Sequence, residues 1–274
     1  GHSSSILQRY KHLSIIGIDR DTTALNFSKE RLKEYKNRVE LIKGSFSEKL
    51  PELLQSNSDI VGVLADFGVS SLQLDQKERG FSFDSDTLDM RMDKDAPLSA
   101  YDVVNSYSQE RLSYIFKKYG EIPNSDQIAK KIIEYRAKKS IESAKELQDI
   151  LKPYLRSKTK IHPATLLFQA IRIEVNDELG EIERLLEVLY NNPLKGGVVS
   201  LITFHSLEDR LVKNAFREWA KSCICPKEAI RCNCGNNHSL GKPINKKPIT
   251  ATLQELKKNS RSRSAKLRSF RFKE

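Results

Sequence analysis

The sequence predicts an α/β fold. Short apolar runs of strand length alternate with amphipathic stretches of helix length through residues 1–66. Two of those runs, Ser14–Asp19 (SIIGID) and Ile60–Asp66 (IVGVLAD), end in an acid. A further run of the same quality, Gly197–Phe204 (GVVSLITF), returns only after a gap of 130 residues. Continuous apolar runs joined by helices are the mark of parallel strands with crossover connections.

Taken in order, Ser3–Tyr10 reads as a helix and Ser14–Asp19 as a buried strand. Thr22–Tyr35 follows with Leu25, Ser28, Leu32 and Tyr35 on one helical face. Val39–Lys43 is a strand stopped at Gly44, Ser47–Gln55 a short helix, and Ile60–Asp66 the next strand. One crossover needs about a dozen residues, so the long gap must hold something extra. Its middle reads as helices at Gln109–Tyr119, Asp126–Lys139 (capped by Ser125), Lys145–Leu155 and Pro163–Ile173. Val175–Tyr190 places Val175, Leu179, Ile182, Leu186 and Leu189 in a 4-3-4-3 spacing, which predicts one helix leading back to the sheet. Ser206–Lys221 is a helix with Leu207, Leu211, Ala215 and Trp219 on one face, and Ser264–Phe272 a basic edge strand. The expected domains are 1–92 with 175–274 for the α/β part, and 93–174 for an inserted helical part.

The 274 residues carry a net charge of +11, with 38% hydrophobic and 30% charged residues, which excludes a disordered chain. No apolar run reaches the roughly 18 residues of a membrane span, and four cysteines make no disulfide scaffold. A cytoplasmic protein with a polyanionic partner fits these values. The charge is uneven: Lys242–Glu274 holds +9 of the +11, so nucleic-acid contact is best placed there.

Ligands of open α/β sheets sit beyond the carboxyl ends of the strands, where Asp19 and Asp66 fall. A carboxylate there can accept both ribose hydroxyls of a nucleoside cofactor. The bland alternative is that Asp19 or Asp21 caps the next helix. The strand and turn that should precede Ser3–Tyr10 are absent. Either Gly1 ends a glycine turn whose strand lies upstream, or Gly1–Ser5 (GHSSS) is a vector remnant; the expectation is a longer natural protein lacking its N-terminal strand here.

Several strings then coincide in order: GHS at Gly1–Ser3, GIDRD at Gly17–Asp21, DFGVSSLQLD at Asp66–Asp75, RGFSF at Arg79–Phe83 and LDMRMD at Leu88–Asp93. HPATLLFQAIRIEVNDEL at His162–Leu179, FHSLEDRLVK at Phe204–Lys213 and NSRSRSAKLR at Asn259–Arg268 complete the set. Across almost its whole length the chain resembles the RsmH/MraW family of bacterial 16S rRNA cytosine-N4 methyltransferases. The resemblance implies a class I S-adenosylmethionine (SAM)-dependent methyltransferase fold, Rossmann-like, with an inserted helical substrate-recognition domain. It implies methylation of a cytidine N4 in the decoding centre of the small ribosomal subunit. By matching motif positions, Gly1 and His2 correspond to the methionine-side loop, Asp19 to the ribose acid and Phe46 to an adenine-side ring. Asp66 and Gln73 correspond to further cofactor contacts. Phe46 as a core plug and Gln73 as a loop-fixing amide are the structural alternatives. Leu166, Ser260 and Ala251 stand where the family usually has Arg, Pro and Pro.

Cytosine N4 is a poor nucleophile because its lone pair is conjugated into the ring, so an acceptor for its hydrogen is needed. The D/N/S-P-P-Y/F loop of DNA amino-methyltransferases is absent; Asp66-Phe67-Gly68-Val69 stands in that place. Asp66 is therefore the first candidate acceptor, with His205 as a proton relay and Ser206 as a hydrogen bond to the base or, alternatively, a helix cap. Arg79, Phe81, Phe83 and Arg91 combine aromatics and cations that suit a splayed RNA base and its phosphates. Arg261, Arg263, Lys266 and Arg268 would track the backbone. Cys223, Cys225, Cys232 and Cys234 form C-x-C-x6-C-x-C, which reads as a structural zinc site or as reduced thiols, with His238 as a substitute ligand. The expected partners are SAM and the 16S rRNA of the small subunit, with no membrane; a homodimer is compatible.

Overall fold

A computed structural model describes residues 1–155, 163–226, 228–229 and 231–274. His162, which opens the HPAT string, lies outside the described residues. In chain order the elements are α1 (His2–Arg9), β1 (Ile15–Asp19), α2 (Thr22–Arg31), β2 (Val39–Lys43), α3 (Phe46–Ser56), β3 (Gly62–Asp66) and α4 (Ser71–Asp75). Then come α5 (Ala100–Ser106), α6 (Gln109–Gly120), α7 (Ser125–Arg136), α8 (Ala144–Leu151), α9 (Pro163–Asn176) and α10 (Glu178–Asn191). The chain closes with β4 (Val198–Thr203), α11 (Ser206–Trp219), β5 (Gly241–Pro243), β6 (Ile249–Thr250), α12 (Leu253–Lys258) and β7 (Lys266–Phe272). The fold is mixed α/β, as the sequence predicts.

Two compact units result: residues 1–45 with 69–178, and residues 46–68 with 179–274. In the first, β1 and β2 pair in parallel from Ile15 opposite Val39 to Asp19 opposite Lys43. The Arg38 guanidinium donates to the carbonyls of Leu7, Tyr10, Lys11 and Leu13, which ties α1 and its following turn to the start of β2. Helices α5–α9 enclose an apolar core of their own, with Val103, Leu112, Phe116, Ile128, Ile132, Leu147 and Ile171 fully buried. Their starts follow from local chemistry: Ser99, Ser108 and Ser143 each accept from a backbone N–H of the first turn of α5, α6 and α8. Asn124, rather than Ser125, occupies the cap position of α7, and Ser125 turns inward and is buried.

The second unit carries a sheet of order β3-β4-β7-β5, with β6 also pairing β7. β3 and β4 are parallel; β7 runs antiparallel to both β4 and β5. Val199, Leu201 and Thr203 alternate into the interior along β4. An aromatic cluster of Phe216, Trp219, Phe270 and Phe272 fixes α11 on the sheet, with ring centroids 5.2–5.7 Å apart.

Two expectations are corrected. Val175–Tyr190 is not one helix: α9 ends at Asn176, Asp177 adopts a left-handed φ of +48°, and α10 begins at Glu178. Aspartate tolerates that conformation better than most residues, and the apolar spacing runs on across the break. β7 is not an edge strand either, because β5 covers its far side. Only glycine permits that approach: a Cβ at Gly241 would lie 2.0 Å from the Arg271 carbonyl oxygen and 2.8 Å from the Phe270 ring. Gly241→Ala is therefore expected to cost about 1–3 kcal/mol and to detach β5. Amide exchange at Ile244 and Lys273, bonded to Ser269 and Leu240 across this junction, should accelerate; unchanged protection would refute it.

Candidate active site

In the first unit, the end of β1 and the start of α2 place Asp19 and Asp21, two residues apart, in opposite environments. Asp19, at the carboxyl end of the strand, is open to solvent. One carboxylate oxygen accepts from the Asp21 backbone N–H at 2.8 Å. Enough protein surrounds it that desolvation raises its pKa above the ordinary carboxylate value, outweighing that hydrogen bond. Asp21 turns inward and is 2% exposed. It caps α2 by accepting from Thr23 N–H at 2.9 Å, which settles the capping alternative in favour of Asp21. Its other oxygen accepts from Gln73 Nε2 and Arg79 Nη1, both at 2.8 Å. Burial alone would raise the Asp21 pKa, but hydrogen bonds from Gln73, Arg79 and Thr23 overcome it and hold the pKa low.

Gln73 and Arg79 are thus engaged with Asp21. The Gln73 amide also accepts from Ser70 N–H in a capping box that starts α4. Arg79 is 2% exposed, and its second guanidinium nitrogen donates to the Arg91 and Met92 carbonyls. The guanidinium expected to meet RNA phosphate is a buried knot instead. Phe81 is buried in the helical core. Phe83 is half-buried edge-on to Phe168, with centroids 5.0 Å apart. Arg91 forms a two-point pair with Asp89 and donates to the Ala96 carbonyl. Asn176 locks the same loop: it accepts from Met92 N–H and donates to Met90 O, each at 2.8 Å. That bond helps hold Met90 at a φ of +58°, which bulky residues rarely adopt. Gly80 (φ +74°) is obligatory, since a Cβ there would meet the Asp89 nitrogen at 2.5 Å. Gly1 and His2 are exposed at the start of α1, where Gly1 is the cap residue.

In the second unit, Phe46 opens α3 half-buried, its ring tilted against Phe67 at 5.9 Å. Asp66 ends β3 and is exposed. It pairs in register with Ile202 of the adjacent parallel strand, so His205 and Ser206, just past β4, share that end of the sheet. His205, not Ser206, is the cap residue of α11. Its nearly buried Nε2 lies 3.1 Å from Glu208 Oε1. Glu208, fully buried, accepts from the backbone N–H groups of Phe204 and His205 at 2.7 and 3.3 Å. Ser206 is exposed.

The basic residues of β7 face an acid of the same motif. Asp209 accepts from Arg268 Nε at 2.7 Å and from Arg268 Nη2 and Lys266 Nζ at 3.2 Å. Arg261 and Arg263 flank buried Ser262 and are exposed. Burial would raise the Asp209 pKa, but its hydrogen bonds to Arg268 and Lys266 lower it. Because the folded value lies below the unfolded one, the pairing stabilises fully above ordinary carboxylate pH and is lost as pH falls through the folded value. Asp209→Asn should cost about 2 kcal/mol near neutrality. In urea titrations its deficit against the parent chain should shrink toward acid pH; a deficit independent of pH would contradict this.

A model of the MraW methylase family matches residues 1–273. The chain belongs to the MraW methylase family. Relatives named ribosomal RNA small subunit methyltransferase H include that of Sulfurovum sp. (strain NBC37-1), 61% identical over 100% of this chain and 88% of its own length. The protein of Wolinella succinogenes is 56% identical over 100% of this chain and 89% of its own. That of Helicobacter pylori (strain ATCC 700392 / 26695) is 52% identical over 100% and 88%. The α/β architecture with parallel pairs agrees with the Rossmann-like fold expected of this methyltransferase family.

Several motif residues that carried the family resemblance are structural: Arg79, Arg91 and Asn176 hold one loop, and Arg172 pairs with Glu178 through two bonds of 2.7 and 3.0 Å. Asn176 and Glu208 went unassigned by sequence reasoning, and Asp21 was read only as a candidate helix cap, without its bonds to Gln73 and Arg79. Each sits inside a quoted string, in GIDRD, IRIEVNDEL and FHSLEDR, so the strings held the signal without its direction. Among the described residues no helix is long and apolar enough to cross a membrane.

Proposed function

We propose that the chain is a SAM-dependent methyltransferase of ribosomal RNA. Its proposed substrate atom is the exocyclic N4 of a cytidine in the 16S rRNA decoding centre of the small subunit. The family match over residues 1–273 carries this reading, and the relatives' names point to small-subunit rRNA.

Taken unit by unit, the side chains at these positions have the chemistry that SAM would need. Asp19 presents an open carboxylate suited to the ribose hydroxyls, and Phe46 a half-exposed ring suited to adenine. Gly1 and His2 at the start of α1 would meet the methionine part, and Asp66 the methyl-bearing end. Gln73 acts from behind, by fixing Asp21. When bound, SAM supplies an electrophilic methyl group on a sulfonium. The chain's part is to hold N4 in line with it and to accept the proton that N4 loses as the new N–C bond forms. The exposed Asp66 suits that acceptor role. His205 is shielded and faces Glu208, so its contribution is to position the strand end; exposed Ser206 can bond the base. Arg261 and Arg263 would track phosphates with the rest of the basic segment. Phe83 and residues 93–174 would receive the flipped-out nucleotide and its surroundings. A ribosomal RNA substrate of this kind implies a cytoplasmic protein.

The test uses methyl-labelled SAM with small-subunit rRNA, followed by digestion to nucleosides and mass spectrometry. N4-methylcytidine at one position, lost with a cytidine-to-uridine substrate, is the expected result. Label on another atom would overturn the N4 assignment. RNA binding without transfer would favour a catalytically impaired binding protein on the same fold.

A further inference from the structure

The loop joining α11 to β5 holds Cys223, Cys225, Cys232 and Cys234 and buries none of its described side chains between 223 and 239. Ile224, an apolar residue in its midst, is 62% exposed. Apolar packing therefore does not organise this segment. Its neck is closed by Leu240 N–H to Trp219 O at 2.8 Å and His238 N–H to Ser222 O at 2.9 Å. Beyond the neck the four sulfurs converge, all within 4.8 Å of one another.

The separations discriminate between chemistries. Cys223 to Cys232 and Cys232 to Cys234 are 3.6 Å, and Cys234 to Cys223 is 3.7 Å. A disulfide needs about 2.05 Å. Four thiolates at the ~2.3 Å zinc–sulfur bond length define a tetrahedron with edges of about 3.8 Å, close to what is seen. Backbone N–H groups point at the sulfurs: Ile224 N–H to Cys234 Sγ at 3.4 Å and Asn233 N–H to Cys225 Sγ at 3.3 Å. Such bonds stabilise thiolate charge and orient the ligands. His238 is not among them, since its Nε2 lies 2.7 Å from the Cys234 carbonyl oxygen.

We propose that Cys223, Cys225, Cys232 and Cys234 bind one zinc ion in a closed four-thiolate site. Four protein ligands leave no open position, so the ion is structural and orders the loop that delivers β5 to β7. This goes beyond the methyltransferase reading and does not depend on it.

The full chain, expressed with zinc and purified without chelator, should contain one zinc per molecule. Cobalt(II) replacing the zinc should give the visible absorption of a tetrahedral sulfur site. Cys232→Ser should lower zinc affinity by more than the roughly 10–100-fold typical of outer-shell changes. Stripping the parent chain with chelator should raise the rate of tryptic cleavage after Arg231 by about tenfold or more, even if the variant fails to fold. A folded chain with under about a tenth of a zinc per molecule and four freely reactive thiols would overturn the proposal, as would iron in place of zinc.

Discussion

Arg79→Ala should lower the unfolding free energy by about 3–5 kcal/mol, the usual cost of removing one partner of a buried ion pair. Both side chains are 2–3% exposed, so the Asp21 carboxylate cannot be rescued by water. Gln73 and Thr23 N–H would still donate to it, which sets the loss within that range. The same substitution strips donors from the Arg91 and Met92 carbonyls and loosens the loop closed by Asn176. Arg79→Lys should fall only slightly short of this, because a single ammonium cannot span Asp21 and two carbonyls as the planar fork does. Combining Arg79→Met with Asp21→Asn should recover part of the loss by removing the stranded charge. Urea unfolding of the parent chain, Arg79→Met, Asp21→Asn and the double variant closes the cycle. A change below about 1 kcal/mol would mean that the pair is not a structural knot and would return Arg79 to the candidates for phosphate contact.

The acid dependence has a defined sign. The Asp21 pKa is held below its unfolded value, so the pair stabilises above that value and the contribution fades as pH drops through the folded one. In Arg79→Ala the ion-pair partner of Asp21 is gone and the Asp21 pKa should climb, shifting acid unfolding to higher pH.

These residues show what the sequence can and cannot disclose. The parallel strands were legible because burial on both faces leaves continuous apolar runs, and strand-end acids follow from where such runs stop. The direction of Arg79 was not legible: its partner is 58 residues away, and a loop mixing Arg with Phe reads equally as an RNA contact or a buried knot. The helix break at Asp177 was hidden because hydrophobic spacing reports the face and not the backbone conformation of one residue. β5 was hidden because Gly241–Pro243 has no apolar pattern; its place is set by close approach to β7. Lys266 and Arg268 read as free cations because Asp209 stands on another element of the sequence.

Asp19→Ala should weaken SAM binding by about two orders of magnitude or more while leaving the ligand-free fold intact. Two hydrogen bonds from ribose hydroxyls to a carboxylate are worth about 1.5–3 kcal/mol each, and about 1.4 kcal/mol is tenfold in affinity. The expectation of an intact fold comes from the contrast with Asp21. A carboxylate retained for stability has donors that depress its pKa; Asp19 has its pKa raised by desolvation. The side chain is exposed at the strand end, so Asp19→Asn should match the parent chain in ligand-free stability near neutral pH. An exposed strand-end carboxylate whose pKa is nevertheless raised by the protein around it is the pattern of a binding group. The raised pKa also predicts that SAM affinity falls at a higher pH than for an ordinary carboxylate as the solution is acidified, and that Asp19→Asn abolishes this step. Calorimetric titration with SAM from pH 4 to 7, beside thermal unfolding without ligand, separates the outcomes. Lost stability with unchanged SAM affinity would make Asp19 structural and remove the ribose assignment.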